Sequence, residues 1–168
     1  MLGNWIIKMN GKILKEDLDR MLSGNGTVIV LGENFYWEEI FLLSVNSTCG
    51  ASEFWIAIYS GSSINPSIYS YEARERLIIG YNHDVAIVDL CTHKVIFEKE
   101  LCTSFYFAKY IGSLLVVISE IDVFIISDDN KEIFHQSSEI IESFKFSESL
   151  LMYTTNLGEQ TIDLSSMK

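Results

Sequence analysis

From residue 76 onward the sequence repeats itself, and that periodicity restricts the fold more than any other property of the chain. Three blocks align: RLIIGYNHDVAIVDLCTHKVIFEKEL (76–101), SLLVVISEIDVFIISDDNKEIFHQSS (113–138) and SLLMYTTNLGEQTIDLSS (149–166). Leu77, Leu114 and Leu150 open them at intervals of 37 and 36 residues. Asp84-Val85 matches Asp122-Val123, Ile87-Val88 matches Ile125-Ile126, and Ile162-Asp163-Leu164 echoes Val88-Asp89-Leu90. Each block reads as strand, tight turn, strand, polar turn, short strand. A period in this range marks an architecture built from stacked supersecondary units.

The first 75 residues read differently. Residues 4–9 (NWIIKM) alternate as a short strand, and Asn10-Gly11 is a turn signal. Leu14, Leu18, Met21 and Leu22 then share one helical face, with Glu16, Asp17 and Asp19 opposite and Gly24 in the place of a C-terminal glycine. This predicts one short helix over about 13–23. After Gly26 the period becomes that of strands: Thr27–Leu31, Glu39–Val45, Phe54–Tyr59 and Ser67–Tyr71 are β-branched and aromatic runs separated by Gly, Asn and Ser. With 168 residues, 48% of them hydrophobic, the chain is long enough for an ordinary core and is expected to form a single domain, 1–168.

The run VAIVDLCTHKVIFEKEL resembles one blade of a β-propeller of the WD40 or quinoprotein type. In such blades an alternating strand ends in Asp-Leu, a four-residue turn follows, and the next strand carries an aromatic. Asp89-Leu90, Cys91–Lys94 and Val95-Ile96-Phe97 hold those places. The resemblance covers residues 76–166. His93 stands where such blades often have glycine, and no Trp-Asp or Gly-His pair occurs. Blades of that family take about 40–45 residues, and a ring needs at least four. The expected fold is therefore mainly β: antiparallel β-meander hairpin repeats, propeller-like or a curved sandwich, with the one N-terminal helix.

Charge narrows the choice of partners. Twelve Lys and Arg against 23 Asp and Glu give a net charge of −11. Clustered cations for phosphate are lacking, which argues against nucleic acid and against an anionic membrane surface. A basic protein partner suits the sign. The distribution is uneven. Residues 21–73 hold five Glu and no Lys or Arg, and residues 110–168 hold ten acidic and three basic side chains. In the second stretch Glu120 and Asp122 flank a predicted hairpin tip, and Asp128, Asp129 and Glu132 form the next turn. If these tips share an edge, they make an acidic rim. In the first stretch Tyr36, Trp37 and Glu38 place aromatics beside a carboxylate, as interface anchors often are. Of Phe105, Tyr106 and Phe107, strand alternation leaves Tyr106 to face solvent.

Catalytic signatures are missing. His83, His93 and His135 fall in turns or at strand ends with no nucleophile elbow nearby. Asp128-Asp129-Asn130 is short of a calcium loop. Glu38 and Glu39, as strand neighbours, point to opposite faces and cannot flank one bond. No phosphate-binding glycine loop is present. Cofactors and metals are expected to be absent. Cys49, Cys91 and Cys102 are odd in number and lack metal-ligand spacing, and residues 1–10 lack the basic start of a secretory leader, so a cytoplasmic location is expected.

In size, acidity, strand content and missing chemistry, the chain is similar to immunity proteins of bacterial toxin systems, including those of contact-dependent growth inhibition. That resemblance implies a cytoplasmic, non-enzymatic protein that neutralises a basic toxin domain such as a nuclease. The acidic and aromatic residues named above would carry the contact. The alternative is a propeller-like interaction module or a subunit of a larger assembly. A carboxylate hydrolase ranks third.

Overall fold

The computed structural model describes residues 5–32, 39–48, 53–61 and 65–167. These form two compact units, Met1–Lys99 and Glu100–Lys168. Each contains two β-sheets. Among the described residues no helix is long and apolar enough to cross a membrane.

In the first unit, strand β1 (Trp5–Ile13) leads into helix α1 (Lys15–Leu22) and then β2 (Thr27–Leu31), β3 (Glu39–Ser47) and β4 (Glu53–Ser60). The sheet order is β1-β3-β4-β2. The β3–β4 hairpin is central, β1 pairs antiparallel with β3, and β2 pairs parallel with β4 from Thr27↔Phe54 to Leu31↔Ile58. Not every pairing is thus antiparallel. Strands that run the same way need a crossover rather than a tight turn, and α1 carries the chain across the face of the hairpin from β1 at one edge to β2 at the other. Side-chain alternation explains its seat. Ile40, Leu42, Ala57 and Tyr59 face the helix and bury Leu18. Phe41, Leu43, Val45, Ile56 and Ile58 face the other way. The helix begins two residues later than expected because Ile13 still belongs to β1. Asn10-Gly11 is a bulge, not a turn. The register shifts between Met9 and Gly11, Gly11 has φ +88°, and the strand continues.

The second sheet is a meander of β5 (Ser67–Tyr71), β6 (Arg76–Tyr81), β7 (Asp84–Asp89) and β8 (Lys94–Glu100). Leu77, Ile79, Ala86, Val88 and Leu90 meet the inward face of the first sheet. Two turns tie the sheets together. Asn82, at φ +48°, accepts hydrogen bonds from the Ser60 hydroxyl (2.8 Å) and the Gly61 amide (3.2 Å). His93, at φ +54°, stacks on Phe54 with centroids 4.3 Å apart. That left-handed φ is why glycine is common at this blade position.

The second unit repeats the meander. Strands β9 (Phe105–Ile111), β10 (Leu114–Ser119), β11 (Asp122–Ile126) and β12 (Glu132–Ser137) form one sheet. Strands β13 (Ile141–Ser147), β14 (Leu150–Thr155) and β15 (Gly158–Asp163) form the other. Leu114, Val116, Ile118, Val123 and Ile125 pack on Leu151, Tyr153, Ile162 and Leu164, with Phe107, Phe144 and Phe146 filling the seam.

The repeat has a physical basis in its strand ends. Asp89 accepts hydrogen bonds from the Cys91 and Thr92 amides (3.1 and 2.7 Å), and Asp163 accepts one from the Ser165 amide (2.9 Å). The following leucine is buried in both cases. Its amide reaches back before the preceding strand, Leu90 to the Glu75 carbonyl (2.8 Å) and Leu164 to the Ser149 carbonyl (2.7 Å). The third block departs at its end: Leu164–Ser166 is a 3-10 turn where a short strand was expected.

Candidate interaction surface

Tyr36, Trp37 and Glu38 lie outside the described residues. The remaining candidates, Tyr106, Glu120, Asp122, Asp128, Asp129 and Glu132, all belong to the sheet β9–β12, but they do not converge. The β10–β11 turn and the β11–β12 turn lie at opposite ends of the five-residue strand β11, about 15–20 Å apart at ~3.3 Å per residue. The acids form two separate groups and no shared rim.

The first group is at the Glu120 end. Here β9 bulges: Ile118 pairs with Phe107 but Ser119 pairs with Phe105, so Tyr106 is the extra residue. A bulge re-aims the side chain it carries, and Tyr106 is 44% exposed while Phe105 and Phe107 are partly covered. The Glu120 backbone is anchored. Its amide donates to the Ser104 carbonyl (3.0 Å), and its carbonyl accepts from the Ile141 amide (2.8 Å).

Asp122, at the same end, faces inward. Its side chain is fully buried and accepts hydrogen bonds from the Ser137 hydroxyl (2.6 Å), His135 Nε2 (2.9 Å) and the Ser119 hydroxyl (3.3 Å). The Asp122 amide donates in turn to Ser119 Oγ (2.9 Å), to which Thr103 also donates (3.2 Å). The cross-strand pair Asp122↔Ser137 and the diagonal to His135 create this arrangement, and His135 is steadied by stacking on Phe124 at 4.2 Å. Burial alone would raise the Asp122 carboxyl pKa. The hydrogen bonds from Ser137, His135 and Ser119 outweigh it and hold the group below the ordinary carboxylate range. Asp122 therefore closes the hairpin from within and is not presented to a partner.

Asp, His and Ser in mutual contact invite comparison with a hydrolytic triad. That device places the acid on one ring nitrogen and the nucleophile on the other. Here Ser137 Oγ and Asp122 both approach Nε2, and the serine hydroxyl donates its hydrogen bond to Asp122. The histidine cannot act as a relay between them.

The second group is the β11–β12 turn. The Ser127 amide donates to the Lys131 carbonyl (2.8 Å), the Asn130 amide donates to the Ser127 carbonyl (3.0 Å), and Asn130 takes φ +61°. The Ser127 hydroxyl donates to the Asp129 carboxylate, which also pairs with Lys131 Nζ at 2.6 Å. Lys131, in the same turn, cancels one charge. It and the Ser127 hydroxyl hold Asp129 below its ordinary pKa. Asp128, Asp129 and Glu132 are all turned to the surface or its margin.

Among the described residues no group of three or more His, Cys, Asp or Glu is placed to hold a metal ion. A hollow on the outer face of β13–β15, lined by Ser143, Lys145, Met152, Thr154 and Glu159, measures about 130 Å³, below the roughly 300–1,000 Å³ of small-molecule sites.

No protein-family model and no curated protein matches the chain. Solved structures do. The chain is similar to Kluyveromyces lactis Hsv2 at 10% identity and a TM-score of 0.51, covering 77% of this chain and 43% of that one. BamB from Moraxella catarrhalis follows at 15% identity and a TM-score of 0.47, over 71% and 39% of the two chains. The Neurospora crassa Pan2 WD40 domain follows at 15% and 0.46, over 77% and 47%. The chain thus spans less than half the length of these structures, and the match to Hsv2 establishes a β-propeller-like fold.

Proposed function

We propose that the chain is a non-enzymatic protein-binding module. The observation that carries this reading is Tyr106: a β-bulge at the Glu120 end of the sheet leaves a large aromatic 44% exposed, between two residues that stay paired with β10. Aromatic anchors at the rim of acidic groups suit protein contact. The constellation Asp122–His135–Ser137 has catalytic residue types but the wrong connectivity for a hydrolytic triad. The sign of the charge favours a basic partner. The narrower reading is a cytoplasmic immunity protein that neutralises a basic toxin domain, and the exposed turn Asp128–Glu132 supports it.

The test is affinity capture from the native host at low and moderate salt, with the parent chain, Tyr106→Ala, and Asp128→Lys combined with Asp129→Lys. A single partner retained by the parent and lost by Tyr106→Ala supports the module. If the charge-reversed chain also loses it, salt elutes it, and its toxic activity stops when the parent chain is added, the narrower reading stands. Capture that is indifferent to all three substitutions refutes the assignment of this surface.

A further inference from the structure

The sheet β13–β15 differs from the others in one respect. Each of the other sheets has four strands, while this one has three, and among the described residues nothing pairs with the outer edge of β15. In both meander sheets the fourth strand adds apolar cover to the core. Val95 of β8 packs on one cluster and Phe134 of β12 on the other. On β15 only Ile162 is buried, while Gly158, Glu159, Gln160, Thr161 and Asp163 are exposed.

The edge itself is regular. β15 pairs with β14 without a register shift from Leu150↔Asp163 to Thr155↔Gly158, and it contains no proline and no lysine. Free edges are commonly blunted by bulges, proline or lysine. Here the only guards are two carboxylates, Glu159 and Asp163, which alternate with Thr161 on the outer face. Glu159 is weakly countered by Lys145 at 4.0 Å. Asp163 accepts hydrogen bonds from the Ser165 amide and hydroxyl through Oδ1. A second copy of the chain is a poor occupant. The antiparallel register that matches faces and uses most of the strand sets Glu159 against the Asp163 of the other copy, twice. Like charges directly opposite are destabilising.

We propose that the β15 edge takes up an extended segment of a partner protein as a fourth, antiparallel strand, with basic residues opposite Glu159 and Asp163 and apolar residues on the Ile162 side. This inference rests on the binding-module reading and gives it a second, backbone-mediated surface. Main-chain hydrogen bonds supply the attachment, and alternate side chains supply the selectivity.

The probe is a capped peptide, Ser-Lys-Ile-Thr-Val-Lys-Ser, in which the two lysines fall opposite Asp163 and Glu159. Three ligands are compared by fluorescence anisotropy: this peptide, its lysine-to-glutamate version, and a version N-methylated at alternate amides. Amide exchange across 158–163 is followed in parallel. Expected are binding of the basic peptide, exchange in 158–163 slowed by at least about tenfold at saturation, loss of binding on N-methylation, and binding at least about fivefold weaker for the glutamate peptide and for Glu159→Lys. Binding without protection of 158–163 overturns the strand addition but leaves the module standing. Equal binding of the glutamate peptide overturns the basic partner. No binding of any peptide overturns the inference, while the module is judged separately by Tyr106→Ala, on a different sheet.

Discussion

Replacing Asp122 with alanine probes the best-connected polar group in the second unit. The substitution removes a fully buried carboxylate that accepts from Ser137, His135 and Ser119. Each hydrogen bond to a charged group contributes about 1.5–3 kcal/mol, but the losses do not sum. Ser137 and His135 reach solvent and can turn to water, whereas Ser119 is fully buried and keeps only the donors from Thr103 and the residue-122 amide. The net cost is therefore about 2–4 kcal/mol, or a fall in Tm of roughly 5–15 °C at about 2–4 °C per kcal/mol for a chain this size. Asp122→Asn keeps one acceptor and should lose about half as much. The native carboxyl lies below its ordinary pKa. Its contribution is thus complete above the unfolded value near ~3.9 and disappears as pH falls through the lower native value. Urea unfolding should show a gap between parent and Asp122→Ala that is constant from pH 7 to 5 and narrows below about pH 4. A variant within about 0.5 kcal/mol of the parent at pH 7, or a gap unchanged in strong acid, would refute the structural role given to this network.

Three further outcomes follow from single contacts. Gly32 has φ +77°, and a Cβ there would lie 2.8 Å from the Tyr59 carbonyl oxygen; Gly32→Ala should cost about 2–3 kcal/mol in thermal unfolding. Cys91 is exposed, yet its thiol donates to Glu75 Oε2 (2.8 Å), and this bond pushes its pKa up to about 11. Alkylation of Cys91 at pH 8 should be on the order of tenfold slower than that of a small-molecule thiol, and Glu75→Gln should speed it by a similar factor. The Tyr153 hydroxyl is buried among apolar side chains without a hydrogen-bond partner. Tyr153→Phe should leave stability unchanged or raise it by about 1 kcal/mol, as read by Tm.

How far the sequence could be read depended on whether a signal was local. The limits of Thr27–Leu31 and Ser67–Tyr71 follow from β-branched runs bounded by turn residues, and the structure has them at those limits. Asn10-Gly11 misled because a glycine with positive φ serves a hairpin turn and a bulge equally well. The parallel pairing of β2 with β4 was illegible, since a strand's partner is chosen by the faces of distant strands and not by its own residues. The buried role of Asp122 was closer to hand. Its match in the repeat, Asp84, is buried too, and an acid recurring at the same step of two repeats marks a structural position. The separation of the two acidic turns was also implicit, because a five-residue strand must keep its ends apart.

The strand order β1-β3-β4-β2 has a consequence in time. The other three sheets are assembled from neighbours in sequence, so each strand can zip onto the one just formed, at little loop-closure cost. The first sheet cannot. Its two outer strands come before the hairpin that must receive them. During synthesis residues 5–31 emerge before their partners, β1 waiting for β3 up to Ser47 and β2 for β4 up to Ser60. The apolar runs of β1 and β2 are exposed over that interval, and such surface favours aggregation. Among the described sheets, this is the one whose earlier-made strands must wait for later ones.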